Sequence, residues 1–146
     1  MVQRYVWVKD FIIDKNVVDI GCGYGYGTKY LSQYAREIIG IDSYSKAIRY
    51  AKKRYSGIQF RTEDITSLES LANSDYAISF GVIEHLKENL VSSFLNSVRN
   101  LLKKEGKIVF STPNKIFKDL IISKNPYHEK ECYPNEMLDL LINILS

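Results

Sequence analysis

Val17-Val18-Asp19-Ile20-Gly21-Cys22-Gly23-Tyr24-Gly25-Tyr26-Gly27 runs from a short apolar stretch into glycines at every second position. An apolar run of this length, closed by glycine, reads as a buried strand over residues 17–20, and residues 28–34 read as the helix that follows. Alternate glycines let the backbone turn tightly and approach a ligand with no Cβ in the way. The first amides of the following helix then face the same cleft. The dinucleotide fingerprint G-x-G-x-x-G is not met, because Tyr26 and Thr28 take the third-glycine positions of the first two registers. The G-K-[ST] ending of a P-loop is absent too. Asp19, two residues before the first glycine, would repel a pyrophosphate and attract a cationic group.

Outward from this stretch the pattern alternates. Apolar runs at 38–41, 58–61, 76–80 and 107–111 read as further strands, and 43–55, 88–103 and 135–145 as helices. Lys103 and Lys104 suit a helix C-terminus, with Gly106 placed to end it. Alternating strands and helices imply βαβ units, hence an α/β doubly wound, mostly parallel sheet of about five strands with helices on both faces. Ligands of such sheets bind beyond the carboxyl ends of the strands. The 146 residues suit a single domain, and 45% hydrophobic with 25% charged residues is ordinary globular usage. A net charge of +3 is too mild for a nucleic-acid signature. The two cysteines, Cys22 and Cys132, point to a reducing, cytoplasmic setting, and no apolar run has the roughly 20 residues of a membrane helix.

Two more acids fall where ligands are expected. Asp42 ends the second strand, 17 residues after Gly25, where a carboxylate accepts hydrogen bonds from ribose hydroxyls. Asp64 follows the third strand and could receive an exocyclic amine. Each alone also reads as a solvated helix N-cap. With the glycine loop, the three describe a site for a nucleoside carrying an ammonium group and no pyrophosphate.

With its acid-x-Gly-x-Gly-x-Gly motif, Asp19-Ile20-Gly21-Cys22-Gly23-Tyr24-Gly25, the chain resembles the class I S-adenosylmethionine-dependent methyltransferases, from about Arg4 to about Leu141. The resemblance implies a Rossmann-like fold and S-adenosyl-L-methionine as cofactor. It implies that Asp19 holds the methionine amino group, that Gly21, Gly23 and Gly25 admit the methionine part, that Asp42 takes the ribose, and that Asp64 with Ile65 takes the adenine. Cys22, Tyr24, Ser43, Phe80 and Gly81 join the cofactor-binding set. Ser79-Phe80-Gly81-Val82-Ile83-Glu84-His85-Leu86 is similar to the segment after strand four in ubiquinone-type small-molecule methyltransferases. Ser111-Thr112-Pro113-Asn114 and Asn125-Pro126-Tyr127-His128-Glu129 resemble a subgroup associated with glycan biosynthesis.

Two departures follow. Many relatives carry Glu, and some a metal, where this chain has Gly81, which leaves a hard cation too few oxygens. The family fold normally continues with a sixth and seventh strand as a hairpin. The chain reaches Ser146 first, so a fragment, a homodimer or a partner protein covering the strand-five edge is expected.

Methyl transfer is an in-line displacement in which the protein mainly positions the acceptor, and a general base is needed only when the acceptor loses a proton. His85, with Glu84 beside it, and His128 are the candidate catalytic residues. His85 reads equally as a helix-start histidine bonded to nearby backbone. Tyr24 and Tyr26 are candidate cation–π partners of a sulfonium, one shielding it and the other half exposed. Cys22 reads as a small buried residue. The His128-x-x-x-Cys132 spacing lacks a second ligand pair, so no metal is expected. Lys52-Lys53-Arg54 reads as a solvated helix face, and the apolar patch at 117–122 as core cover rather than a membrane anchor. The expected acceptor is a small molecule, a sugar or glycan precursor, methylated on oxygen ahead of nitrogen. The competing expectation is a methyltransferase-like binding module that needs a partner or is inactive.

Overall fold

The computed structural model describes residues 2–68, 73–115, 127 and 133–145. Its five strands are β1 (Asn16–Ile20), β2 (Glu37–Asp42), β3 (Gln59–Thr62), β4 (Ser74–Phe80) and β5 (Leu102–Ser111). They form one sheet in the order β3-β2-β1-β4-β5, and every pairing is parallel. The strand order reverses at β1, whose neighbours are β2 and β4, so the carboxyl ends of these three strands border one crevice.

Among the described residues the α-helices that accompany the sheet are α1 (Val2–Val8), α2 (Tyr26–Leu31), α3 (Ser45–Arg54), α4 (Glu88–Leu101) and α5 (Pro134–Leu145). Side chains alternate across a strand, so each strand feeds two cores. Val17, Ile38 and Ile78 pack with Tyr5, Val8 and Ile12 of the N-terminal segment and with Leu31 of α2. Val18, Ile20, Ile41 and Ala77 pack on the opposite face with Val91, Phe94, Leu95, Val98 and Leu101 of α4 and Met137 of α5. The α4 residues recur at three- and four-residue spacing, which makes one buried stripe. Each fully buried side chain of this kind contributes about 1.5–3 kcal/mol.

The largest departure from the sequence expectation lies between α4 and β5. The helix ends at Leu101, before the lysines, and Leu102 is already extended and paired with Ser74. The next pair is Tyr76 with Lys107, so residues 103–106 lie opposite the single Asp75. Tertiary pairing ends the helix here, not a glycine cap. Lys103 Nζ donates to Asp75 Oδ1 at 2.7 Å, and Asp75 Oδ2 also accepts from the Asn16 amide at 2.9 Å. One carboxylate therefore ties the starts of β1 and β5 to β4. Gly106 fills the crowded return, where a Cβ would sit 3.0 Å from the Ser74 and Lys103 carbonyl oxygens. The α1 helix is an element that the sequence reading lacks. No described helix is long and apolar enough to cross a membrane.

Candidate functional site

Asp19 sits one residue before the end of β1, on the face toward α1 and α2, and is 1% exposed. Its Oδ2 accepts a 2.6 Å hydrogen bond from Thr28 Oγ1 at the start of α2. Burial pushes its carboxyl up to about 6. The Thr28 hydroxyl opposes that rise and the nearby Asp42 carboxylate adds to it. An acid of this kind gains from any cation brought to it, because the charge is already stripped of water.

The glycine loop is anchored at both ends. Gly21 and Cys22 donate their amides to Ile41 O at 2.8 and 3.1 Å, and Gly25 N closes a turn onto Cys22 O at 3.0 Å. Cys22 is buried beneath the loop, which pushes its thiol far above the ordinary range. Gly21, Gly23 and Gly25 have φ of +74°, +53° and +81°. At Gly25 the requirement is double, since a Cβ would also come within 2.7 Å of the Phe60 ring and 2.9 Å of Ala51. Above Gly23 there is open space within 4 Å of any added Cβ. The loop is therefore packed tightly below and leaves room above.

Asp42, at the end of β2, is held by two amides. Gly23 N donates to Oδ2 and Tyr44 N to Oδ1, each at 2.8 Å. A carboxylate offers about four lone-pair sites, so acceptor capacity remains for two hydroxyls. Ser43 beside it is exposed. The Glu63 amide donates to Asp42 O at 3.2 Å, which brings the segment after β3 alongside. There Asp64 Oδ1 accepts from Thr66 N at 2.9 Å and Thr66 Oγ1 at 2.7 Å. Those bonds, backbone first, hold the Asp64 carboxyl below its ordinary range. Ile65 turns inward and is buried.

After β4, Gly81 donates its amide to Ser111 O at 2.9 Å and has φ of +71°, a conformation in which a glutamate would be strained. Glu84 is 3% exposed, and its Oε2 has no hydrogen-bond partner among the described residues. His85 is exposed, with Nδ1 2.8 Å from Tyr127 O. A carbonyl only accepts, so Nδ1 carries the hydrogen of the neutral ring and the lone pair lies on Nε2. His128 and Cys132 lie outside the described residues. Tyr24 and Tyr26 are both about half exposed, at 49% and 46%. Tyr24 packs edge-on against Tyr50, and Tyr26 against Tyr5.

Three contributors escaped the sequence reading. Thr28 and Tyr44 act through a hydroxyl and an amide, which no motif marks. Tyr5 reaches the site from α1, and the signal for it was the helical spacing of Tyr5, Val8 and Ile12.

The fold and the loop together define a parallel α/β sheet that carries a glycine loop between two strand-end acids at its switch point. Comparison with known proteins gives the particular kind. Residues 13–141 match the family described as methyltransferase domain. A probable S-adenosylmethionine-dependent methyltransferase of Mycobacterium tuberculosis is 31% identical over 134 residues, covering 88% of this chain and 47% of that protein. The ubiquinone biosynthesis O-methyltransferase of Bradyrhizobium diazoefficiens is 30% identical over 111 residues, covering 73% of this chain and 43% of that protein. Among solved structures, the YcgJ protein of Bacillus subtilis superposes with a TM-score of 0.80 at 19% identity, covering 98% of this chain and 68% of that one. The chain belongs to the S-adenosylmethionine-dependent methyltransferases, transferases whose cofactor is S-adenosylmethionine. It spans about half the length of the curated relatives it matches.

Proposed function

We propose that this chain transfers a methyl group from S-adenosylmethionine to a small-molecule acceptor, a hydroxyl ahead of an amine, with a sugar or glycan precursor as the acceptor class. The observation that carries the proposal is the convergence of Asp19, the glycine loop and Asp42 on one crevice, with the Gly23 amide bonded to Asp42 and open space above Gly23. That donor and acceptor set fits the cofactor's chemistry: a buried acid for its ammonium and a carboxylate with spare lone pairs for its ribose.

In this reading Asp19 holds the methionine ammonium, and Gly21, Cys22, Gly23, Tyr24 and Gly25 form the floor. Asp42 and Ser43 take the ribose, Asp64 and Ile65 the adenine, and Phe80 and Gly81 line the side toward β4. When bound, S-adenosylmethionine supplies an electrophilic methyl group on a sulfonium. The chain's residues hold the acceptor oxygen in line, an effect worth roughly 7–11 kcal/mol in favourable cases. His85 Nε2 accepts the acceptor's proton, with Nδ1 kept protonated by Tyr127 O. Glu84, buried beside it with an Oε2 that has no partner among the described residues, is a further candidate catalytic residue. His128 is a second candidate base. The proposal also takes residues 1–146 as one domain working in the cytoplasm. It includes pairing of a second copy or another protein along β5, which borders only β4 among the described residues.

The test is transfer of tritium from methyl-labelled S-adenosylmethionine to a panel of hydroxylated and aminated small molecules, sugars included. Labelled product that falls at least tenfold in His85→Gln supports the proposal. No product from any acceptor, with a cooperatively melting protein, overturns it.

A further inference from the structure

The core that α4 and α5 share with the sheet is open at one end. A cavity of about 230 Å³ lies between the first turns of α4 and α5, with Ile83, Val91, Met137 and Leu140 in its wall. Ile83, Val91 and Met137 are buried members of the core, and Leu140 packs against them. Protein interiors hold few voids larger than a water molecule, so a space of this size at a core cluster is unusual. The polar members of the wall lie at its outer side. Glu88 and Ser92 are exposed and stand one helical turn apart on α4, and the half-buried Thr112 follows β5. The cavity is therefore apolar inside with polar groups at its mouth, the make-up of a small-molecule site.

The turn after β4 joins this cavity to the crevice. Ile83 and His85 belong to one 3-10 turn, closed by His85 N to Val82 O at 3.0 Å and Leu86 N to Ile83 O at 3.2 Å. Ile83 is buried and lines the cavity, whereas His85 on the same turn is exposed. The bond from Gly81 N to Ser111 O ties the end of β5, and with it Thr112, to the start of that turn. An apolar cavity of about 150 Å³ takes benzene, so one of about 230 Å³ takes a six-membered carbon ring with a short substituent. We propose that this cavity holds an apolar group of the acceptor, one ring in size, so that the acceptor is a hydroxylated compound with an aryl or alkyl substituent and not a bare sugar. This inference rests on the methyl-transfer reading above and narrows its acceptor class.

The test loads the chain with S-adenosylhomocysteine and titrates in two pairs of probes that differ only in the apolar group. The pairs are methyl and phenyl β-glucoside, and the methyl and phenyl ethers of glycerol. In at least one pair the phenyl member is expected to bind tighter by about tenfold or more, the worth of burying one ring. Leu140→Phe fills the cavity from α5, and Ser92→Trp blocks its exposed mouth without touching the core. In either variant the phenyl advantage is expected to vanish, with a thermal melt to check folding. Equal binding within both pairs overturns the assignment, and so does a phenyl advantage that survives in a cooperatively melting variant. A folded parent chain that takes up no S-adenosylhomocysteine contradicts the methyl-transfer reading instead, and the inference falls with it.

Discussion

Asp19→Asn should make the folded protein more stable at neutral pH while weakening its hold on the cofactor. The carboxyl rises from 3.8 to about 6 on folding because burial penalises its charge. At about 1.36 kcal/mol per pH unit, that rise corresponds to roughly 3 kcal/mol of stability lost when Asp19 ionises inside the fold. Because the folded value lies above the unfolded one, the stability is fully present below about pH 4 and disappears as pH climbs through about 6. Asparagine removes the charge and still accepts from Thr28 Oγ1, while its amide hydrogens gain no partner, so a net gain of about 1–2 kcal/mol is expected at pH 7.5. Urea unfolding of both proteins between pH 4 and pH 8 reads this directly. The difference between the two curves should grow from pH 4 to about 6.5 and then level off. The carboxylates held below their ordinary range, Asp14, Asp64 and Asp75, titrate below this window and cancel in the difference. Affinity for S-adenosylhomocysteine should fall at least tenfold in the variant, and in the parent chain should weaken as pH drops below about 6. Parallel stability curves, or an Asn variant less stable at pH 7.5, would refute the assignment of Asp19 as a charge buried for function.

Gly25→Ala should cost about 2–4 kcal/mol in urea unfolding, combining a left-handed φ of +81° with collision against Phe60 and Ala51. A loss under 0.5 kcal/mol would show that the loop relaxes freely. Asp75→Ala should lose about 1–2 kcal/mol at pH 7, since it frees both Lys103 Nζ and the Asn16 amide. Its contribution should vanish only below about pH 3.8, because the Lys103 hydrogen bond lowers the folded value. A variant whose stability deficit persisted unchanged at pH 2 would contradict that origin.

The sheet was legible because each strand announces itself as an apolar run bounded by glycine, acid or proline, and because the runs alternate with helical stripes such as Val91, Phe94, Leu95 and Val98. The positions of Asp19 and Asp42 at the carboxyl ends of β1 and β2 were legible because each closes an apolar run. The α4–β5 junction was not, since Leu101-Leu102-Lys103-Lys104 has good helical chemistry and only the partner strand, through Ser74 and Asp75, ends the helix. Tyr5 was hidden for a similar reason. The N-terminal stretch carries a helical period, but nothing local says that Tyr5 lands on Gly27 across more than twenty residues.

The measurement that bears most directly on the whole account is calorimetric titration of the chain with S-adenosylhomocysteine, repeated on Asp42→Ala. Asp42 accepts the Gly23 and Tyr44 amides and retains capacity for the ribose hydroxyls, so saturable one-to-one binding should weaken by at least tenfold in the variant. Both proteins should melt cooperatively. Binding unaffected by the substitution, or no binding by a folded parent chain, would contradict the claim that this crevice holds the cofactor.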